Sequence, residues 1–130
     1  MTVLDTSVVV DYLLGHDSAR RVQELLEATP CAAPDVVVFE TLAVLRRAVL
    51  RGALPERRAA AAVDDLGDLP LDLYPALTLR GRAWALRDKF SAADALFVAL
   101  AGALGLPLAT ADRALARGAA RHAGIDTVDL

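Results

Sequence analysis

Short apolar runs alternate with longer segments of helical period along this chain, and that alternation constrains the fold more than any other feature. Thr2–Leu4, Cys31–Ala33, Leu71–Tyr74, Leu106–Thr110 and Thr127–Leu130 read as strands, the last at a sheet edge. Between them, Ser18–Ala28 is amphipathic, with Val22, Leu25 and Leu26 on one side. Pro34-Asp35 opens a helix to about Arg51, whose apolar stripe is Val38, Leu42, Leu45 and Val49, and Gly52 stops the pattern. Pro55–Leu66, ended by Gly67, is a further helix, as is Leu77–Asp88, whose apolar side is Leu79, Ala83, Trp84 and Leu86. Ser91 caps a helix reaching Leu104, and Ala111–Ala123 is the last. Ser7–Leu14 is ambiguous, because Val8-Val9-Val10 suits a strand equally well. A break at Asp5-Thr6-Ser7, with Ser7 capping a short helix that ends at Gly15, is the favoured reading. Strands alternating with helices give an α/β sandwich around a mostly parallel sheet.

At 130 residues, 55% of them apolar, the chain is expected to be one domain, residues 1–130, able to bury a core without a disulfide or a structural zinc. Its 14 basic and 17 acidic residues, net −3, exclude a protein that coats nucleic acid with positive charge. They do not exclude a nucleic-acid enzyme that works through acids and a metal. The single Cys31 rules out an internal disulfide framework, and a reducing, cytoplasmic setting fits best. The N-terminus has no basic region before an apolar one, so no export signal is expected. The uncharged stretch Ala95–Ala111 is broken by Gly105 and Pro107 and reads as a buried helix then a buried strand, not a membrane span.

Ligands of open α/β sheets bind beyond the carboxyl ends of the strands, which selects four acids. Asp5 ends the first strand, Asp112 follows the strand Leu106–Ala109, Asp94 lies in the first turn of its helix, and Glu40 lies inside another. Asp94 shares a stripe with Phe97, Val98 and Ala101, where an ionised carboxylate is costly unless paired or metal-bound. Ser91-Ala-Ala-Asp94 is also a capping box, so a purely structural role stays open. Glu40 alone reads as a solvated residue or an ion-pair partner, Asp5 as a turn bonded to its neighbouring hydroxyls, and Asp112 as a helix cap. Taken together, the four suit metal-assisted phosphodiester cleavage, in which Mg²⁺ or Mn²⁺ on hard oxygen ligands activates a water. Thr6, Ser7 or Thr110 could then orient water or phosphate through a hydroxyl.

The strand with Asp5-Thr6-Ser7, the Glu40 helix after Pro34, the segment Ser91-Ala-Ala-Asp94-Ala-Leu-Phe-Val-Ala-Leu-Ala and Leu-Ala-Thr110-Ala-Asp112 occur in this order over essentially the whole chain. In that arrangement the chain resembles the PIN-domain ribonucleases, specifically the VapC toxins of bacterial toxin–antitoxin pairs. The resemblance implies a PIN-like three-layer α/β/α sandwich, a Mg²⁺- or Mn²⁺-dependent endoribonuclease acting on tRNA, rRNA or mRNA, and a homodimer held inactive by a VapB-type antitoxin. It also implies that Asp5, Glu40, Asp94 and Asp112 line the metal site, the fourth acid being the most variable in these proteins.

Cys31 reads as a small buried residue, His16 and His122 as surface residues, and Trp84 as core or interface and not a base-stacking platform, since aromatic residues are only 5% of the chain. Arg46, Arg47 and Arg51, then Arg80, Arg82 and Arg87, then Arg113 and Arg117, are either solvated faces or phosphate contacts around an acidic cleft. The apolar helices between Ser7 and Arg51 can alternatively form a groove for an antitoxin helix. Two other classes remain. A haloacid-dehalogenase-like phosphatase would use Asp5 as nucleophile, but it wants a second Asp where Ser7 stands, and the only Lys, Lys89, precedes Asp94. A non-catalytic interaction domain would use the same acids only as caps.

Overall fold

The computed structural model describes residues 1–130. Five strands, β1 (Thr2–Leu4), β2 (Cys31–Pro34), β3 (Leu71–Tyr74), β4 (Leu108–Ala109) and β5 (Thr127–Val128), form one sheet in the order β3-β2-β1-β4-β5. Every pairing is parallel. The helices are α1 (Thr6–Leu14), α2 (Ala19–Ala28), α3 (Val36–Leu50), α4 (Glu56–Asp68), α5 (Arg80–Ala85, entered through a 3₁₀ turn at Ala76–Leu79), α6 (Ala92–Leu104) and α7 (Arg113–Ala123). From β1 the chain steps outward to β2 and β3, returns across the sheet to β4, then steps the other way to β5. Right-handed crossovers on these two courses put α1–α4 on one face and α5–α7 on the other. Accordingly α1 packs on α2, α3 and α4, while α6 packs on α5 and α7.

The core is one cluster built on β1 and β4, α1 and α6, with Val3, Leu4, Val8, Val9, Phe97, Leu100 and Leu108 among its fully enclosed side chains. Strands buried on both faces need no polar alternation, which is why Val3-Leu4 and Leu108-Ala109 read as apolar runs. Cys31 is buried there, and burial pushes its thiol pKa up. No helix is long and apolar enough to cross a membrane.

Several expectations shift. The cap of α1 is Asp5, whose carboxylate accepts the Val8 N–H; Ser7 already lies inside the helix. Gly15 ends α1 in the left-handed region, at φ 69°. The buried face of α3 is Val37, Thr41 and Leu45, which leaves Val38 and Leu42 exposed. Helix α4 continues through Gly67 to Asp68. The expected helix Leu77–Asp88 is a 3₁₀ turn and two short helical turns, with Trp84 68% exposed and so outside the core. Thr110 leaves β4 at once, so that strand has only two residues.

Candidate active site

The strand order reverses between β1 and β4, and the crevice beyond their carboxyl ends is the ligand position of such a sheet. Asp5 follows β1 directly and Thr110 follows β4 directly. Asp112 caps α7, its Oδ1 accepting the Leu115 N–H at 3.1 Å. Glu40 enters from the second turn of α3 and Asp94 from the first turn of α6, on opposite faces of the sheet. All four acids line one open cavity of ≈ 340 Å³, together with Thr6, Ser7, Val44 and Phe97.

Hydroxyls hold the acids in place. Ser7 donates to Asp5 Oδ1 at 2.6 Å, and Thr110 donates to Asp5 Oδ2 at 2.8 Å. Thr6, one residue past Asp5, donates to Glu40 Oε1 at 2.6 Å. Thr110 Oγ1 also accepts the Asp112 N–H at 3.0 Å, and Ser7 Oγ accepts the Ala111 N–H at 3.0 Å. The three hydroxyls expected to orient water or phosphate therefore have their own partners within the chain, and what they orient here is carboxylate. One network links the first turn of α1 to the β4–α7 turn, and a separate bond from Thr6 ties that turn of α1 to α3.

The charge of these four acids has no protein counterweight. The only ion pairs of the chain are His16–Asp11 and Arg20–Glu24, so none of the four acids meets an Arg or Lys. Asp5 is 5% exposed, and burial pushes its pKa up from 3.8 to about 6. The Ser7 and Thr110 hydroxyls and the Val8 N–H oppose that rise, and the Asp94 charge adds to it. The Asp94 pKa is also raised, first by burial and then by Asp112, against the lowering effect of Ser91. Ser91 Oγ accepts the Asp94 N–H at 3.2 Å, so Ser91 caps α6 while the Asp94 carboxylate lines the cavity.

Three or more acidic, His or Cys side chains do not converge into a ready ligand cage. The donor set still fits a hard divalent ion. Mg²⁺ takes one or two carboxylates directly and keeps several waters, so acids spread around a cavity suit it better than a tight cage does. An unpaired carboxylate buried to this degree is stabilised by a cation more than by any other neighbour.

A fifth acid lines the cavity. Asp11 stands one helical turn beyond Ser7, with Oδ2 accepting the Ser18 hydroxyl at 2.8 Å. The spacing Ser7 to Asp11 on a helix starting at Thr6 is the sequence signal that reveals it.

The family model described as PIN domain matches residues 2–121. Ribonuclease VapC12 of Mycobacterium tuberculosis is 32% identical over 128 residues, covering 98% of this chain and 99% of that protein. Among solved structures, PAE2754 from Pyrobaculum aerophilum superposes with a TM-score of 0.72 at 17% identity, over 98% of this chain and 83% of that one. A toxin–antitoxin complex from Klebsiella pneumoniae superposes with a TM-score of 0.62 at 22% identity, over 99% and 97%. At such identities these two bear on the fold alone, and they match its three-layer α/β form.

Proposed function

Because the chain belongs to the PIN-domain family, in its VapC ribonuclease branch, we propose that it is the toxin of a toxin–antitoxin pair, a metal-dependent endoribonuclease working at the cavity between β1 and β4. The observation that carries this reading is the set of Asp5, Glu40, Asp94 and Asp112 on one cavity with no Arg or Lys paired to any of them. Asp5, Glu40, Asp94 and Asp112 are the acids proposed to hold Mg²⁺ or Mn²⁺, one or two of them directly and the others through the ion's waters. When bound, such an ion supplies an activated water and neutralises charge at the leaving oxygen.

The chain's own part is placement. Ser7, Thr110 and the Val8 N–H fix both oxygens of Asp5, so its carboxylate cannot rotate away. Thr6 fixes Glu40 in the same manner. Phe97 and Val44 give the cavity an apolar wall, which lowers the local dielectric and strengthens every charge interaction inside it. With both oxygens bonded, Asp5 is held in a fixed orientation.

The proposal includes an antitoxin partner of the kind named for the Klebsiella complex, a homodimeric state and a cytoplasmic setting, with residues 1–130 acting as one domain. Val38, Leu42, Leu73 and Val63 are all exposed and line one apolar groove between α3, α4 and β3, a shape suited to an amphipathic helix. The test is cleavage of structured RNA by purified protein in Mg²⁺ or Mn²⁺, stopped by EDTA. Full cleavage in excess EDTA overturns the mechanism. Light scattering and co-purification with the product of the adjoining gene test the assembly.

A further inference from the structure

Trp84 and Arg87 do not belong to the acidic cavity, and the core does not use them. Trp84 is 68% exposed although it is the largest side chain type, and Arg87 lies over its ring with the guanidinium carbon 4.8 Å from the ring centroid. Arg87 Nη1 donates to the Trp84 carbonyl at 3.0 Å, and Arg80 Nη1 donates to the Leu77 carbonyl at 2.9 Å. Neither guanidinium meets a carboxylate, so most of their N–H groups stay free. Arg80, Trp84, Arg87 and Phe90 share a pocket of ≈ 310 Å³ with Ala92 and Leu96 of α6. The segment Arg80–Lys89 holds four cations, Arg80, Arg82, Arg87 and Lys89, against one acid, Asp88, in a chain whose net charge is −3.

We infer that this pocket is a stacking site for one base of a single-stranded RNA segment, with Arg80 and Arg87 taking the flanking phosphates; the inference rests on the ribonuclease reading and names how that site holds its substrate. An exposed indole beside unpaired guanidiniums is the combination that binds single strands, since every base has a π face and every link a phosphate. The placement fits cleavage. Ala92 and Leu96 line this pocket while Asp94 and Phe97 line the acidic cavity, so the two depressions flank the same first turns of α6. Their lining residues project from different sides of one helix, itself about 10 Å across. A strand with its scissile phosphate at Asp94 crosses the start of α6 and lays a nearby base on Trp84. A second copy is a poorer occupant. A two-fold contact here sets a cationic patch against itself, and the apolar groove of α3, α4 and β3 suits a protein partner better.

Trp84 is the only tryptophan, so its emission reports this pocket alone. The experiment titrates the protein, in EDTA, with a mixed-sequence single-stranded RNA 12-mer, with the same RNA as a duplex, and with inorganic polyphosphate. The expected result is saturable quenching by the single strand and far weaker quenching by the other two. Trp84→Ala should weaken single-strand affinity, read by anisotropy of a labelled RNA, by about tenfold or more, while Trp84→Phe keeps most of it. Both variants should melt with wild type. With Mg²⁺ restored, Trp84→Ala should raise KM for RNA and leave kcat within about twofold. Equal quenching by polyphosphate reduces the pocket to a charge effect and overturns the stacking site. So does emission that shifts with protein concentration without RNA, which marks a second copy on Trp84. Cleavage that persists with Trp84→Ala unaffected overturns this inference alone, whereas absence of both RNA binding and Mg²⁺-dependent cleavage overturns the ribonuclease reading beneath it.

Discussion

Replacing Asp5 with Asn should make the metal-free protein more stable at neutral pH. The Asp5 carboxyl is 5% exposed and its pKa stands at about 6 against an ordinary 3.8. Between those values the folded state holds a proton that the unfolded state has released, so stability falls as the pH rises through this window. The cost is absent below about pH 3.8 and complete above about pH 6. At 1.36 kcal/mol for each tenfold change in proton affinity, the ionised carboxylate costs the fold roughly 3 kcal/mol at pH 7. Asn removes that cost. Its oxygen still accepts from Ser7 and Val8, and its amide faces Thr110 Oγ1, which already accepts from Asp112. The lost charge at the start of α1 takes back about 0.3–1 kcal/mol of helix-dipole stabilisation. The net gain is about 2 kcal/mol, or on the order of 8 °C in Tm for a domain of this size. Thermal and urea melts of both proteins in EDTA, at intervals from pH 4 to pH 7, measure it. The gap should be widest at pH 7 and shrink towards zero at pH 4. A lower Tm for Asp5→Asn at pH 7, or a gap that ignores pH, refutes the account of Asp5 as an uncompensated buried charge.

Asp94→Asn keeps the shape and the Ser91 cap, so in EDTA it should melt no lower than wild type. It should lose most of the Tm rise that Mn²⁺ gives wild type, and its RNA cleavage should drop by orders of magnitude; an equal metal-induced rise in both proteins removes Asp94 from the ligand set. Leu42→Glu, at a position 43% exposed on the apolar groove, should abolish co-purification with the antitoxin while RNA cleavage stays within about twofold; intact capture moves the partner to another face. Phe97→Ala, 1% exposed in the core, should cost about 3–5 kcal/mol in urea unfolding, and a loss under 1 kcal/mol contradicts the packing described for α6.

The order of strands and helices was legible because residues that stop an element punctuate it: Asp5 and Pro34 stand where strands give way, and Gly15 and Gly105 where helices do, whereas Thr110 read as strand. The phase of α3 was not legible. Val36-Val37-Val38-Phe39 and Leu42-Ala43-Val44-Leu45 put apolar residues all round the helix, so periodicity chose Val38 and Leu42, while the sheet and α1 take Val37, Thr41 and Leu45. Glu40 seemed solvated for the same reason, and only its bond to Thr6 shows which way it turns. Asp5 was read as the end of a strand, but it caps the next helix as well, a double role that spacing does not distinguish from a Ser7 cap. Of the core and interface positions that hydrophobicity offers Trp84, its exposure excludes the core, and hydrophobicity takes no account of the Arg87 guanidinium over its ring.

The bond from Thr110 to Asp5 spans 105 positions of sequence. On a ribosome, β1 emerges first, and its central place in the sheet stays half filled until β4 is made. Asp5 therefore has no Thr110 to fix it, and Asp112 does not yet exist, until nearly the whole message has been read. On the function proposed here, an RNA-cutting enzyme born among ribosomes is harmless throughout its own synthesis. The interval ends with translation of the last helix, whereas the apolar groove of α3, α4 and β3 is complete by Tyr74. On that function, a partner already present meets every residue of its proposed docking surface before there is anything to inhibit.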